Sequence, residues 1–203
     1  MCYNTTGQFF ISSHSQNVIE EIDSNNLLLI QNVNGTVVGK QIPDDEKFQS
    51  LVRACPEAMY LQKVIVCEGK TEIGICRALD LFRIRNGKPS MSKTDTVYTL
   101  GNGGNFSKRA IQLKDLGLKV CVFCDSDKDD ELNPKKEDLT ASGIQVFDWE
   151  PGNSIEKQIF NDLHWDGIKV LIEYRIKERN GCKFQFNYIP LFQLKSNTLY
   201  KYI

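Results

Sequence analysis

The sequence predicts an α/β protein, in which a parallel β-sheet is flanked by helices. From residue 63 onward, short apolar runs alternate with segments of helical periodicity, and this alternation is typical of successive β-α units. The first run, residues 64–67, is continuously apolar, as strands buried on both faces of a parallel sheet usually are. Right-handed crossovers would then pack the helices against the sheet.

A short strand, a helix, a hairpin and a second helix are predicted ahead of this region. Residues 9–12 are an apolar run, and a polar turn leads from them into a short helix. Two β-prone runs surround Asn34 and Gly35, a strong signal for a hairpin turn. Residues 39–47 are predicted to be a linker, and residues 48–55 an amphipathic helix.

Four strands, each followed by helical periodicity, complete the prediction. Gly117 is expected to end one of the helices as its C′ residue. The predicted strands are residues 64–67, 96–100, 119–124 and 144–149, and the predicted helices are residues 70–82, 106–116 and 134–142, with two more from about residues 154 and 166.

The charge balance argues against a protein that covers nucleic acid with a basic surface. The 25 basic and 26 acidic residues give a net charge of -1, so any nucleic-acid contact has to depend on local groups. No apolar run approaches the length of a membrane span, and the first residues lack the pattern of a signal peptide. We therefore expect a cytoplasmic protein with no membrane partner.

The seven cysteines are an odd number, which fits buried thiols in a reducing compartment better than a disulfide framework. Cys121 and Cys124 have the C-x-x-C spacing of a zinc or redox site. However, alternation along the predicted strand sends their side chains to opposite faces, and no second pair completes a metal set. Both are therefore predicted to be structural.

The segment that contains Gly69, Lys70 and Thr71 ends like a nucleotide-binding P-loop but lacks its geometry. A P-loop requires a glycine five residues before Gly69, where Val64 lies inside the predicted strand. Glu68 would also place a carboxylate against the nucleotide phosphates. Glu68 is instead the candidate functional residue, because it ends a buried strand at the edge where α/β sheets bind ligands.

Further carboxylates are expected near Glu68. Glu72 follows in the first turn of the next helix, where complementing the helix dipole is the alternative explanation. Asp125 and Asp127 follow the third strand, and in an extended segment their side chains would point the same way. Converging carboxylates repel one another unless a hard cation neutralises them, so Mg²⁺ or Mn²⁺ is predicted here. A solvated turn is the alternative, and we adopt it for residues 128–130.

This pattern of strand ends resembles the Toprim domain. One strand ends in Glu-Gly, and a second strand, two β-α units later, ends in Asp-x-Asp. The resemblance covers about residues 63–163. It implies a Toprim-type, Rossmann-like parallel sheet with a metal site formed by Glu68, Asp125 and Asp127. Toprim domains occur in topoisomerases, primases, recombination mediators and nucleases of the OLD (overcoming lysogenization defect) family.

The preceding segment resembles the OLD family in particular. Its apolar run, the pair His14 and Ser15, and the following helix are similar to the end of an ABC-type ATPase head, where the histidine contacts the nucleotide γ-phosphate. The resemblance implies a remnant of that head in residues 1–45 and a Toprim domain in residues 46–203. Because the chain has no Walker A motif, ATP would matter only if an ATPase head is supplied elsewhere. The chain resembles the C-terminal portion of such a protein: a fragment, a split gene product or a degraded relative.

Two further residues follow from the same resemblance. Glu156 lies where OLD-family proteins carry another acid, although Asn153 three residues earlier equally suggests a helix cap. Lys195 is the only match for a late catalytic lysine, and a solvated lysine is the simpler explanation. Residues 101–105, Gly-Asn-Gly-Gly-Asn, match a Toprim loop that either approaches the phosphate backbone or turns the chain into the next helix.

Together these features predict a Mg²⁺- or Mn²⁺-dependent DNA endonuclease. Glu68, Glu72, Asp125 and Asp127 would be catalytic and would hold the metal ions with Glu156. The resemblance implies an ATPase-coupled nuclease of phage defence, acting as a homo-oligomer or with a separate ATPase subunit. The alternative is a non-hydrolytic Toprim module that binds DNA or protein.

Overall fold

The computed structural model describes residue 7, residues 9–127 and residues 131–179. The chain divides into two compact units. The first contains residues up to 124 and residues 128–148, and the second combines residues 125–127 with the chain from residue 149. The predicted division between an ATPase remnant and a Toprim domain at residue 45 stays a prediction.

The N-terminal part of the first unit contains the predicted helix and hairpin. Helix α1 is Gln16–Glu21, and strands β1 (Leu28–Val33) and β2 (Thr36–Gln41) pair antiparallel. Between the strands, Asn34 and Gly35 both have positive φ angles, 53° and 85°, as a two-residue type I′ turn requires. The hairpin prediction is therefore confirmed.

The strand predicted at residues 9–12 is wrong. These residues have no regular secondary structure, and the side chains of Phe9, Phe10 and Ile11 are at least 75% exposed. A strand needs a neighbour that accepts and donates its backbone hydrogen bonds. Within the described residues, no strand pairs with this segment.

Helix α2, Glu46–Ala54, begins two residues before the predicted start. The Asp45 side chain caps it by accepting a hydrogen bond from the Lys47 amide at 2.8 Å. The predicted linker is correspondingly shorter, since residues up to Gln41 belong to β2.

The centre of the first unit is a four-stranded parallel sheet, as predicted. Its strands are β3 (Lys63–Cys67), β4 (Thr96–Leu100), β5 (Lys119–Phe123) and β6 (Gln145–Phe147), in the order β4-β3-β5-β6. The register aligns the first residues of the two central strands, Lys63 with Lys119. At the other end, Cys67 is aligned with both Leu100 and Phe123, so β3, β4 and β5 end together.

The helices of the parallel region agree with the predicted periodicity. They are α3 (Lys70–Arg85), α4 (Phe106–Asp115) and α5 (Lys136–Ala141). Gly117 follows α4 with a φ of 88°, and its amide donates to the Lys114 carbonyl at 2.7 Å. Gly117 is thus the C′ residue of a Schellman motif, as predicted.

The hydrophobic core of the first unit includes the hairpin as well as the sheet. Leu29 of β1 and Ile42 after β2 are buried in the same cluster as the central strands. Other members of this cluster are Val52, Val64, Val66, Phe106, Leu113, Leu116, Val122, Leu139 and Ile144.

The described part of the second unit contains two helices, α6 (Ile155–Asp162) and α7 (Trp165–Arg179). Among its described residues, Ile155 and Leu163 are buried apolar side chains. In the part of the chain that the structure describes, no helix is long and apolar enough to cross a membrane.

Candidate functional site

The Glu68-Gly69 turn follows β3, and neighbouring elements hold its backbone on two sides. The Glu68 amide donates to the Phe123 carbonyl of β5 at 2.9 Å. The Glu68 carbonyl accepts from the Gly103 amide, also at 2.9 Å. Glu68 itself is half-buried. Its backbone position is therefore determined by β5 and by the loop after β4.

Gly101 lets the loop after β4 pack directly on the end of β3. Its amide donates to the Cys67 carbonyl at 2.5 Å. A Cβ at this position would lie 2.3 Å from the Cβ of Phe106 and 2.7 Å from the Cys67 oxygen. Only glycine fits here without moving backbone atoms. The first glycine of residues 101–105 thus has a packing role, while the phosphate contact of this loop stays a prediction.

Glu72 makes a more specific contact than complementing the helix dipole. Gly69 is the N-cap of α3, and the Oε2 atom of Glu72 accepts a hydrogen bond from the Gly69 amide at 2.8 Å. The Glu72 residue is only 3% exposed. Glu72 therefore fixes the turn that carries Glu68, and these two predicted ligands lie on either side of one turn.

The buried carboxylate of Glu72 provides a test of whether the residues suit a cation. Among the described residues, its Oε1 atom accepts no hydrogen bond and no basic side chain pairs with it. This oxygen is not among the fully buried side-chain atoms that lack a partner in the described residues, so it still reaches solvent and is open to a ligand. A hard divalent cation with oxygen ligands fits this donor.

Three thiols lie behind the Glu68 turn. The sulfur atoms of Cys67 and Cys76 are 3.7 Å apart, and both side chains are buried. The hydrogen bond with Cys76, together with burial and the Glu72 carboxylate, raises the pKa of Cys67. Burial raises the pKa of Cys121 to about 12. Cys67 and Cys121 therefore stay protonated near neutral pH and do not act as thiolate ligands or nucleophiles.

The C-x-x-C pair lies around the end of β5, where Cys124 is buried and Cys121 is partly buried. None of the described cysteines forms a disulfide. Cys121 lies within β5, whereas Cys124 lies beyond its end, where its amide donates to the Phe147 carbonyl at 3.1 Å. The described residues contain no metal site built on this C-x-x-C pair.

Asp125 belongs to the second unit and contacts the start of α6. Its Oδ1 atom accepts a hydrogen bond from the Ile155 amide at 2.8 Å. The next residue, Ser126, is buried and binds the Trp149 carbonyl through its hydroxyl at 3.1 Å. Asp125 is thereby held at the amino end of α6, where an acidic side chain complements the helix dipole. Glu156 is the residue that follows Ile155, so Asp125 and Glu156 both lie at this helix end.

The helix cap at α6 differs from the alternative considered for Glu156. The N-cap is Ser154, whose hydroxyl accepts from the Lys157 amide at 3.4 Å. Asn153 is not the cap, because its buried amide group donates to the Gln158 side chain at 2.8 Å. Glu156 is exposed and takes no part in capping. The Asn153-Glu156 capping explanation is therefore wrong, and the metal role of Glu156 stays a prediction.

Asp127 is exposed, and the chain bends at Ser126 and Asp127. The alternation of an extended segment therefore does not apply to Asp125 and Asp127, and their common direction does not follow from their spacing. His14 is also exposed, in the irregular segment before α1. Lys195 lies outside the described residues.

Arg109 is a further residue near the end of the sheet that the motifs did not indicate. Its Nη1 atom donates to the carbonyl of Leu100, the last residue of β4, at 2.5 Å. The same atom lies 3.9 Å from the sulfur of the buried Cys55. No sequence pattern identifies Arg109, because its significance depends on how α4 packs beside β4.

The predicted acids are thus divided between the two units. Glu68 and Glu72 flank one turn of the first unit, and Asp125, Asp127 and Glu156 belong to the second. Among the described residues, no group of three or more His, Cys, Asp or Glu side chains is already placed to hold a metal ion. No protein-family model, curated protein or solved structure matches the chain.

Proposed function

We propose that this protein is a Toprim-type, metal-dependent nuclease that hydrolyses phosphodiester bonds in DNA. The observation that carries the proposal is the position of Glu68 and Glu72 on one turn at the carboxyl end of β3, where the Gly69 amide holds one Glu72 oxygen and the other oxygen remains open to a ligand. The neighbouring strand β5 leads through Cys124 into Asp125 and Asp127. Acids at the carboxyl ends of adjacent parallel strands are suited to binding a divalent cation.

In the proposed function, Glu68, Glu72, Asp125 and Asp127 would hold Mg²⁺ or Mn²⁺, with Glu156 as a further ligand. When bound, such an ion would supply Lewis-acid stabilisation of phosphate oxygens and a more acidic bound water. Glu72 has a second task, since its bond to the Gly69 amide orients the turn that carries Glu68. The bond between Asp125 and the Ile155 amide restricts the rotation of the Asp125 carboxylate in the same way.

The relation to OLD-family nucleases is part of the proposal. It is supported by the order of elements, in which a helix and a hairpin precede the parallel β-α region. His14 would contact ATP only in an assembly that includes an ATPase head. The proposed partners are therefore DNA and either a second copy of the chain or a separate ATPase subunit.

Cleavage of supercoiled plasmid DNA in Mn²⁺ and in Mg²⁺ tests the proposed function. Replacing Glu68 with Gln removes one charge from the site, and we expect the cleavage rate to fall at least about 100-fold. Glu21→Gln, an exposed acid on α1, is the matched control and should cleave at the wild-type rate. Equal rates for Glu68→Gln and the wild type would refute the proposal. DNA binding without cleavage in either metal would favour the non-hydrolytic module.

A further inference from the structure

The guanidinium group of Arg109 lies at the same edge of the sheet as Glu68. Its Nη1 atom is 2.5 Å from the Leu100 carbonyl oxygen. Leu100 is the register partner of Cys67, the residue immediately before Glu68. Because neighbouring strands are about 4.8 Å apart, Arg109 is anchored roughly one strand away from the end of β3.

Arg109 has donors that its protein contacts do not use. A guanidinium carries five N–H groups, and the contacts of Arg109 with Leu100 and Cys55 involve only Nη1. Its Nε and Nη2 atoms donate no hydrogen bond within the described residues, and the residue is half-buried. The side chain is therefore fixed at one nitrogen while the rest of its planar fork remains accessible.

No carboxylate neutralises this guanidinium in the described part of the chain. Glu57 is an acid near Arg109, since the charges of both residues act on the pKa of Cys55: Glu57 raises it and Arg109 lowers it. However, Glu57 forms no ion pair with Arg109, and its Oε1 atom accepts a hydrogen bond from Thr99 at 2.6 Å instead. Arg109 thus combines a full positive charge, a fixed position and unused donors, which suits an anionic ligand.

We propose that Arg109 binds a non-bridging oxygen of the DNA backbone next to the phosphodiester bond acted on at Glu68. This inference rests on the proposed nuclease function and names a residue that contacts its substrate. The acids at this edge repel DNA, so an arginine beside them provides the attraction that orients the phosphate. The planar fork can donate two parallel hydrogen bonds to one phosphate, which a lysine cannot do.

The test separates phosphate binding from support of the loop. Arg109→Gln removes the charge and, because its side chain is shorter, also the bond to the Leu100 carbonyl. Arg109→Lys keeps the charge but loses the fork. Lys119→Gln removes a charge at the opposite end of the sheet and is the matched control. The full-length variants are titrated with a short fluorescent DNA duplex in Ca²⁺ over a range of salt concentrations. Cleavage in Mn²⁺ is measured in parallel.

We expect Arg109→Gln to weaken DNA binding about tenfold, the loss of one charge-assisted contact. The slope of log affinity against log salt concentration should decrease by about 1. Arg109→Lys should restore the slope but only part of the affinity, and Lys119→Gln should match the wild type. Thermal unfolding checks that all variants remain folded.

Wild-type affinity and an unchanged salt slope in Arg109→Gln would overturn the inference, even if cleavage became slower. Such a result, with an active wild type, would leave the nuclease function intact and make Arg109 a support for the loop. If the wild-type protein neither binds nor cleaves DNA, the proposed function itself fails, and the inference fails with it.

Discussion

The amide of Gly103 donates a hydrogen bond to the carbonyl of Glu68 across 2.9 Å, joining the loop after β4 to the candidate catalytic turn. This loop also packs on β3 through Gly101, and its preceding strand is held by Arg109. The backbone position of Glu68 therefore depends on residues more than thirty positions away in the sequence, roughly one β-α unit. Changes in this loop should affect activity without touching a carboxylate.

Gly101→Ala should strongly destabilise the protein. The new Cβ would overlap with backbone atoms near Cys67 and with Phe106, and neither can move freely. We expect the free energy of unfolding to fall by about 3 kcal/mol, the upper range for overpacking. Urea denaturation measures this, with Gly104→Ala as control. Because nothing lies within 4 Å of a Cβ at Gly104, that variant should change stability by less than about 1 kcal/mol. Equal stabilities for the two variants would contradict the packing role of Gly101.

Replacing Glu72 in two ways should separate its structural and chemical tasks. Glu72→Gln keeps an oxygen that accepts the Gly69 hydrogen bond, so its stability should equal or exceed that of the wild type. Glu72→Ala loses this acceptor and should be less stable by about 1 kcal/mol. Both variants should bind Mn²⁺ more weakly in calorimetric titrations. Wild-type Mn²⁺ affinity in Glu72→Gln would show that its carboxylate is not a ligand.

The assignment of the α6 cap can be checked by comparing two neighbours. Ser154→Ala removes the hydroxyl that accepts from Lys157 and should lower the free energy of unfolding by about 1 kcal/mol. Glu156→Gln, at an exposed position outside the cap, should change it by less than about 0.5 kcal/mol. Both values come from chemical denaturation followed by circular dichroism. A larger loss of stability for Glu156→Gln than for Ser154→Ala would instead support capping by Asn153 and Glu156.

Stability should decrease at alkaline pH because of Cys121. Its pKa is raised from 9.0 to about 12 in the folded protein, mainly by burial. Between these values the unfolded chain has lost the thiol proton and the folded protein has kept it. The free energy of unfolding therefore falls as pH rises, by up to about 1.4 kcal/mol per pH unit. Below pH 9 the Cys121 thiol is protonated in both the folded and the unfolded state, so its contribution to the free energy of unfolding is not yet lost.

Unfolding in guanidinium chloride at several pH values above 9 measures this dependence. Cys121→Val removes the titrating group at nearly constant size. The free energy of unfolding of this variant should therefore fall less steeply with pH than that of the wild type. Since Cys67 also has a raised pKa, some pH dependence should remain in the variant. Identical slopes for both proteins would mean that the Cys121 thiol ionises equally in the folded and unfolded states.

The sequence predicted features that depend on neighbours along the chain. Continuous apolar strands, helical spacing, the Asn34-Gly35 turn and the C′ role of Gly117 all belong to this group, and each is present. Features that depend on tertiary partners were missed or misjudged. An apolar run at residues 9–12 is insufficient for a strand without a partner, and two polar residues, Asn153 and Ser154, compete for one cap.

In the candidate site, too, the features that depend on local sequence were predicted, and those that depend on tertiary contacts were not. The position of Glu68 at a strand end follows from local pattern, as does the start of α3 close to Glu72. The bond from Ile155 to Asp125 joins residues thirty positions apart, and the Arg109 contact depends on the packing of α4. No local pattern encodes such contacts, so their identification required the folded structure.

The aligned lysines at the start of the central strands give the sheet an unequal charge distribution from one end to the other. Lys63 and Lys119 are exposed at the amino ends, whereas Glu68 and Glu72 follow the carboxyl end of β3. A polyanion approaching the acidic end without a cation would be repelled. For the proposed reaction, a divalent ion held by these acids would offset the repulsion and so favour DNA binding. Pre-incubation with metal should then shorten the lag before cleavage, whereas pre-incubation with DNA should not.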